Sequence, residues 1–117
     1  MEEDPGRPKR VARFLPRALD DLQDIDEWTR GRWSDEQADE YRRFLYDEAE
    51  FLAAEPSLGQ PLKARKGLRI FLAKSSRQRW SDGHWLVYAQ THDGIDIVRV
   101  LHTKMDVNRH LRGNISG

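Results

Sequence analysis

The apolar residues of this chain change their spacing once, and that change limits the folds open to it. Between Pro16 and Pro56 they recur at helical spacing; between Leu68 and His102 they alternate or run continuously. Helices followed by strands make an α+β chain in which the two kinds of element must bury each other's apolar faces.

The helical half divides in two. Pro16 suits the first position of a helix, where its missing N–H costs nothing. Ala18, Leu22 and Ile25 then form a stripe flanked by Leu19 and Trp28. Asp20, Asp21, Asp24 and Asp26 fall between these positions, on the expected water side, with Asp20 and Asp21 in the first turns, where carboxylates favour the helix dipole. Gly31 offers a helix end. Ser34 followed by Gln37 has the pattern of a capping box. Ala38, Tyr41, Leu45, Ala49 and Leu52 mark a second stripe, which Pro56 stops. The short connection predicts an antiparallel helical hairpin. Trp28 and Trp33 are expected to close it against the core.

The strand half begins after a Gly/Pro-containing loop. "LRIFLAKS" (68–75) alternates, while "HWLVYAQT" (84–91) and "IDIVRVLH" (95–102) are rich in apolar and β-branched residues. Asp82-Gly83 and Asp93-Gly94 are turn dipeptides placed ahead of the last two strands. Three successive strands with tight turns predict an antiparallel meander. "VARFLP" reads as a further short strand before the helices, and a short helix is expected around Val107 to Leu111. Residues 1–10, rich in charge, Pro and Gly, read as a flexible arm, and 11–117 as a single domain.

Charge is unevenly placed. Residues 1–55 hold 9 Lys and Arg against 16 Asp and Glu, and residues 56–117 hold 11 against 4, so a net charge of zero hides a −7 and a +7 half. Such halves make an acidic and a basic face, or else attract each other within the monomer. There is no cysteine, hence no disulfide framework or thiolate metal site. No apolar run approaches the ~20 residues of a membrane span, and "MEEDPGRPKR" lacks the apolar core of a signal peptide. The expectation is a cytoplasmic protein without membrane contact.

Several strings, in order, resemble the ParE/RelE superfamily of bacterial type II toxins. "ALDDLQDIDEWTRGRW" resembles that family's first helix, with its A-x-x-D-L-x-x-I pattern, and "QADEY" (37–41) its Q-A-x-x-Y signature. "GLRIFLAKS" is similar to its G-[LI]-R strand and "HWLVYA" to its H-x-[IL]-x-Y strand. "IVRVLHTKMD", with His110-Leu111 beyond it, is very like the R-V-L-H-x-x-M-D-x-x-x-H-L ending of ParE-type members. The resemblance implies a helical hairpin packed on an antiparallel meander, and a cognate antitoxin that binds the toxin in a hetero-oligomer. For ParE-type members it implies inhibition of DNA gyrase by protein–protein contact, without catalytic residues, cofactor or metal. The RelE-type alternative is ribosome-dependent cleavage of mRNA; a third is a member that binds its antitoxin but poisons nothing.

RNA cleavage without a metal needs a base for the 2′-hydroxyl, cations for the phosphate and an acid for the leaving oxygen. On the resemblance, Arg69, Lys104 and His110 would be that set. In the ParE-type reading, Arg69, Trp80, Arg99, His102, Lys104, Arg109 and His110 are the candidate contacts with target or antitoxin. Trp80, between basic neighbours, suits an exposed aromatic anchor. Arg99 lies on an apolar strand, expected on one face with Ile97 and Leu101, and must be paired or reach water at the sheet edge. A carboxylate of the hairpin and a partner protein are both open to it. His102, expected on the alternate face with Val98 and Val100, is either a hydrogen-bonded strand-end residue or a contact. Asp106 is placed to cap the last helix. The basic run "KARKGLR" reads as a solvated loop or an anion contact. The four histidines have no recognised metal spacing.

Overall fold

A computed structural model describes residues 10–76 and 83–104. The expected arm, apart from Arg10, and Trp80, Asp106, Arg109, His110 and the predicted final helix lie outside the described residues. The element order is β1 (Val11–Phe14), α1 (Pro16–Arg32), α2 (Asp35–Ala54), a short 3-10 turn (Pro56–Leu58), β2 (Gln60–Pro61), β3 (Arg69–Ala73), β4 (His84–Thr91) and β5 (Gly94–His102).

α1 begins at Pro16 and runs through Gly31 to Arg32, so the glycine does not end it. Its first turn holds no carboxylate, because Asp20 and Asp21 lie further along, and its last turn carries Arg30 and Arg32, which suit the negative helix end. α2 starts as the capping pattern predicts: the Gln37 N–H donates to Ser34 Oγ at 3.1 Å. The helices are antiparallel and share a charge network near their turn. Arg30 reaches Asp26 and Asp39 at 3.0 and 2.8 Å, and Arg42 reaches Asp39 at 3.2 Å.

The five strands stand in the order β1-β5-β4-β3-β2. β3, β4 and β5 form the expected meander. β2, too short to show in the residue pattern, extends it antiparallel to β3. β1 lies parallel to β5, from Val11 opposite Gly94 to Phe14 opposite Ile97. Gly94 is required there: a Cβ would strike the backbone of Val11.

Both helices cover one face of the sheet. Leu22, Tyr41, Leu45 and Leu52 pack on Leu86, Tyr88, Ile95, Ile97 and Val100. Val87 and Leu101 are buried on the other face, among Leu62, Ile70, Trp85 and Val98. A bulge explains this sorting. Val87 opposes Arg99 but Tyr88 opposes Ile97, which leaves Val98 without an opposite number. Simple alternation would join Ile97 to Leu101 and Val98 to Val100. The extra residue shifts the parity, so Ile97 and Val100 share the helix side while Val98 and Leu101 share the far side.

Trp28 and Trp33 do not close the hairpin. They are 54% and 44% exposed, and the Arg32 guanidinium lies over the Trp28 ring. The inward stripe of α1 is filled by Leu22, Ile25 and Thr29.

Candidate functional surface

β1 ends at Phe14, opposite Ile97, and among the described residues no further strand lies beside the outer edge of β5 from Val98 onward. α1 passes over that gap. Asp21 turns inward, accepts the Val100 backbone N–H at 2.9 Å and holds the Arg99 guanidinium at two points, 2.8 and 3.0 Å. The two side chains are 10% and 13% exposed. The Asp21 hydrogen bonds raise the Arg99 pKa against the opposing effect of burial. Asp21, expected in water, is therefore the strand-edge cap, and Arg99 takes the hairpin carboxylate that its apolar strand demanded.

At the end of the sheet where His84 opposes His102, the Tyr41 hydroxyl of α2 lies 2.7 Å from His84 Nδ1. His84 is 7% exposed. Burial, and then the neighbouring His102, lower its pKa to about 4, so the ring is neutral at neutral pH. The rings of His84 and His102 meet edge to face. His102 Nδ1 accepts the Lys104 backbone N–H at 3.0 Å.

A third cluster lies further along the sheet. The Tyr88 hydroxyl donates to Pro56 O at 2.7 Å and accepts from Gly59 N at 2.9 Å. Arg69 Nη1 donates to Gly59 O at 2.6 Å. These bonds tie the 3-10 turn and β2 to β3 and β4. A side chain at Gly59 would collide with the Tyr88 hydroxyl and the Ile70 carbonyl.

Arg69 and Lys104, the cations proposed for RNA cleavage, stand at separate rows of the sheet. Arg69 opposes Tyr88, whereas Ala73 opposes His84 and, through it, His102. Arg69 is thus about 13 Å along the strands from the row that leads to Lys104, and two strands across. Among the described residues, no three His, Asp or Glu side chains gather as metal ligands.

Sequence reasoning passed over Tyr41 and His84 as a pair and misassigned Asp21. Yet each stands in a string that carried the family resemblance: Asp21 in the first-helix pattern, Tyr41 in "QADEY", His84 in "HWLVYA". Tyr88 shares the last of these strings, and Arg69 and Arg99 stand in "GLRIFLAKS" and "IVRVLHTKMD". These strings record the internal polar anchors of the fold.

The outer surface of the hairpin is acidic and carries isolated apolar groups. Leu19, Trp28 and Phe51 are each about half exposed among the carboxylates of α1 and α2. At the opposite edge, Arg13 binds Asp93 and Asp96 across β1 and β5. The Arg13 hydrogen bond holds the Asp93 carboxyl down to about 2.

A family model described as ParE toxin of type II toxin-antitoxin system, parDE, matches residues 12–107. Toxin ParE1 of Mycobacterium tuberculosis (strain CDC 1551 / Oshkosh) is 39% identical over 104 residues, covering 86% of this chain and 98% of the relative. Toxin ParE1 of Caulobacter vibrioides is 35% identical over 106 residues, covering 90% of this chain and 98% of the relative. A solved structure titled "Chromosomal ParDE TA system from P. aeruginosa" superimposes with a TM-score of 0.66 at 18% identity, over 81% of this chain and 97% of that one. That likeness is one of fold.

Proposed function

The chain belongs to the ParE toxin family of type II toxin–antitoxin systems, and from that premise we propose that it acts by binding and not by catalysis. In this reading it inhibits DNA gyrase in the bacterial cytoplasm through protein–protein contact. A cognate antitoxin neutralises it within a toxin–antitoxin hetero-oligomer. The observation that carries the reading is the separation of Arg69 from Lys104. Phosphoryl chemistry requires its cations and its acid–base groups around one phosphate. Arg69 is instead engaged by Gly59 on the loop side of the sheet.

Arg69 and Arg99 accordingly serve as anchors that shape the sheet. The target and antitoxin contacts are assigned to His102, Lys104, Trp80, Arg109 and His110. Half-exposed Trp28 and Phe51 support the hairpin as a further protein-binding surface.

Production of the toxin in bacteria without its antitoxin tests this. Loss of plasmid supercoiling with DNA breaks, and inhibition of purified gyrase by purified toxin, are the expected results. Cleaved transcripts with supercoiling intact would reject gyrase in favour of RNA as the target. Unimpaired growth with supercoiling and transcripts both intact would reject toxicity altogether.

A further inference from the structure

One face of α2 interrupts the acidity of the hairpin. Residues 16–54 hold 5 Arg against 12 Asp and Glu, yet Arg42 and Arg43 stand side by side on α2 with Tyr46 one turn further on. Spacings of three and four residues bring Asp39, Arg42, Arg43 and Tyr46 together on a helix surface, and the four line an open concavity of about 320 Å³. We propose that this concavity is a socket for a single carboxylate side chain of a bound peptide, held by the two guanidinium groups and the Tyr46 hydroxyl. In the toxin–antitoxin reading, on which this assignment rests, the antitoxin supplies that side chain.

The donors are fixed and available. Arg42 is anchored by Asp39 at 3.2 Å and by Asp26 of α1 at 3.5 Å, and its fork of N–H groups has donors left over. The Tyr46 ring meets Phe14 of β1 edge to face at 5.2 Å, which holds it while 41% of the residue stays exposed. Among the described residues, neither the Arg43 guanidinium nor the Tyr46 hydroxyl makes a hydrogen bond or an ion pair. Asp39, the one carboxylate of the lining, is already engaged, because its Oδ1 accepts from Arg30 at 2.8 Å and from Arg42 at 3.2 Å. Donors held in place before a ligand arrives reduce the ordering cost of binding, and arginine forks match the acceptor geometry of a carboxylate. The surroundings select the charge of the ligand. Glu36, Asp47 and Glu50 share α2 with the socket, and Asp26 and Glu27 stand on α1. A polyanion is repelled by this surface, whereas one carboxylate on an uncharged or basic segment is not.

Full-length toxin titrated with N-acetyl-glutamate amide, with N-acetyl-glutamine amide as the neutral control, tests the socket by NMR. The Nε–H signals of Arg42 and Arg43 and the Tyr46 ring signals should shift with the glutamate compound alone, and the response should be lost in Arg43→Gln. Calorimetry with the antitoxin is the second arm. Arg43→Gln and Tyr46→Phe should each weaken binding about tenfold, the worth of one charge-assisted hydrogen bond. The Arg43→Gln loss should shrink as salt rises. Both melting temperatures should stay nearly unchanged, because neither polar group is bonded within the toxin. Wild-type toxin that binds the glutamate compound but no antitoxin would reject the toxin–antitoxin reading and leave the socket standing. No shift with the glutamate compound, equal shifts with the glutamine compound, tighter binding of inorganic phosphate or of a DNA oligonucleotide, or unchanged antitoxin affinity in both folded variants overturns the proposal.

Discussion

Asp21 and Arg99 lie 78 positions apart and meet at two points, with the Val100 amide shared on the same carboxylate. One helix residue thus takes the place beside β5 that β1 leaves after Phe14, and neutralises the charge of Arg99. Removing one partner leaves the other poorly solvated with no counter-ion, which is costlier than the pair is favourable.

Arg99→Ala is therefore expected to lower unfolding stability by about 3 kcal/mol in urea titrations. Asp21→Asn retains an acceptor for Val100 and should cost less. The double variant Asp21→Asn/Arg99→Met should recover part of the single-variant loss. A loss in the double variant equal to the sum of the single losses would show that the pair is not coupled.

The Tyr88 hydroxyl is both donor and acceptor for the loop that Arg69 also holds. Tyr88→Phe leaves Pro56 O and Gly59 N without that partner and should cost about 2 kcal/mol. Gly59→Ala should cost at least as much, since the methyl displaces the hydroxyl itself. Full stability of both variants would mean that the loop is held by other contacts.

Burial gives stability a specific acid dependence. His84 titrates at about 4 in the folded chain against an ordinary 6.5, so the unfolded chain binds the proton more readily. Its contribution is fully present above about pH 6.5 and is lost as pH falls toward 4, by about 3 kcal/mol. Asp93, lowered to about 2 from 3.8, adds a further loss below about pH 4. Urea midpoints measured across this range should decline first between about pH 6.5 and 4. A flat profile there would contradict a buried neutral His84.

The cap on α2 is local and should behave so. Ser34→Ala is expected to cost about 1 kcal/mol, measured by thermal unfolding.

Trp28 separates stability from recognition. More than half exposed, it contributes little to the core. Trp28→Ala should leave the melting temperature nearly unchanged while weakening antitoxin binding about tenfold, read by calorimetry. Unchanged affinity would remove this end of the hairpin from the interface.

The two helices, the capped start of α2 and the three long strands were legible in residue spacing and turn chemistry, because those signals are local. The charge of Arg99 on an apolar strand announced that a partner must exist. Which residue answers it was decided by where β1 stops and how α1 crosses the exposed edge of β5, neither of which leaves a trace in helical periodicity. The inserted Val98 shows the same limit. Alternation assigns every later residue of β5 to a face, and one unopposed position reverses the assignment, because a pleated strand has a period of two and no tolerance for an odd step. The identities of the polar anchors were thus written along the chain, but their pairing is a property of distance in the folded molecule, where Tyr41 and His84, or Asp21 and Arg99, are neighbours only after the helices settle on the sheet.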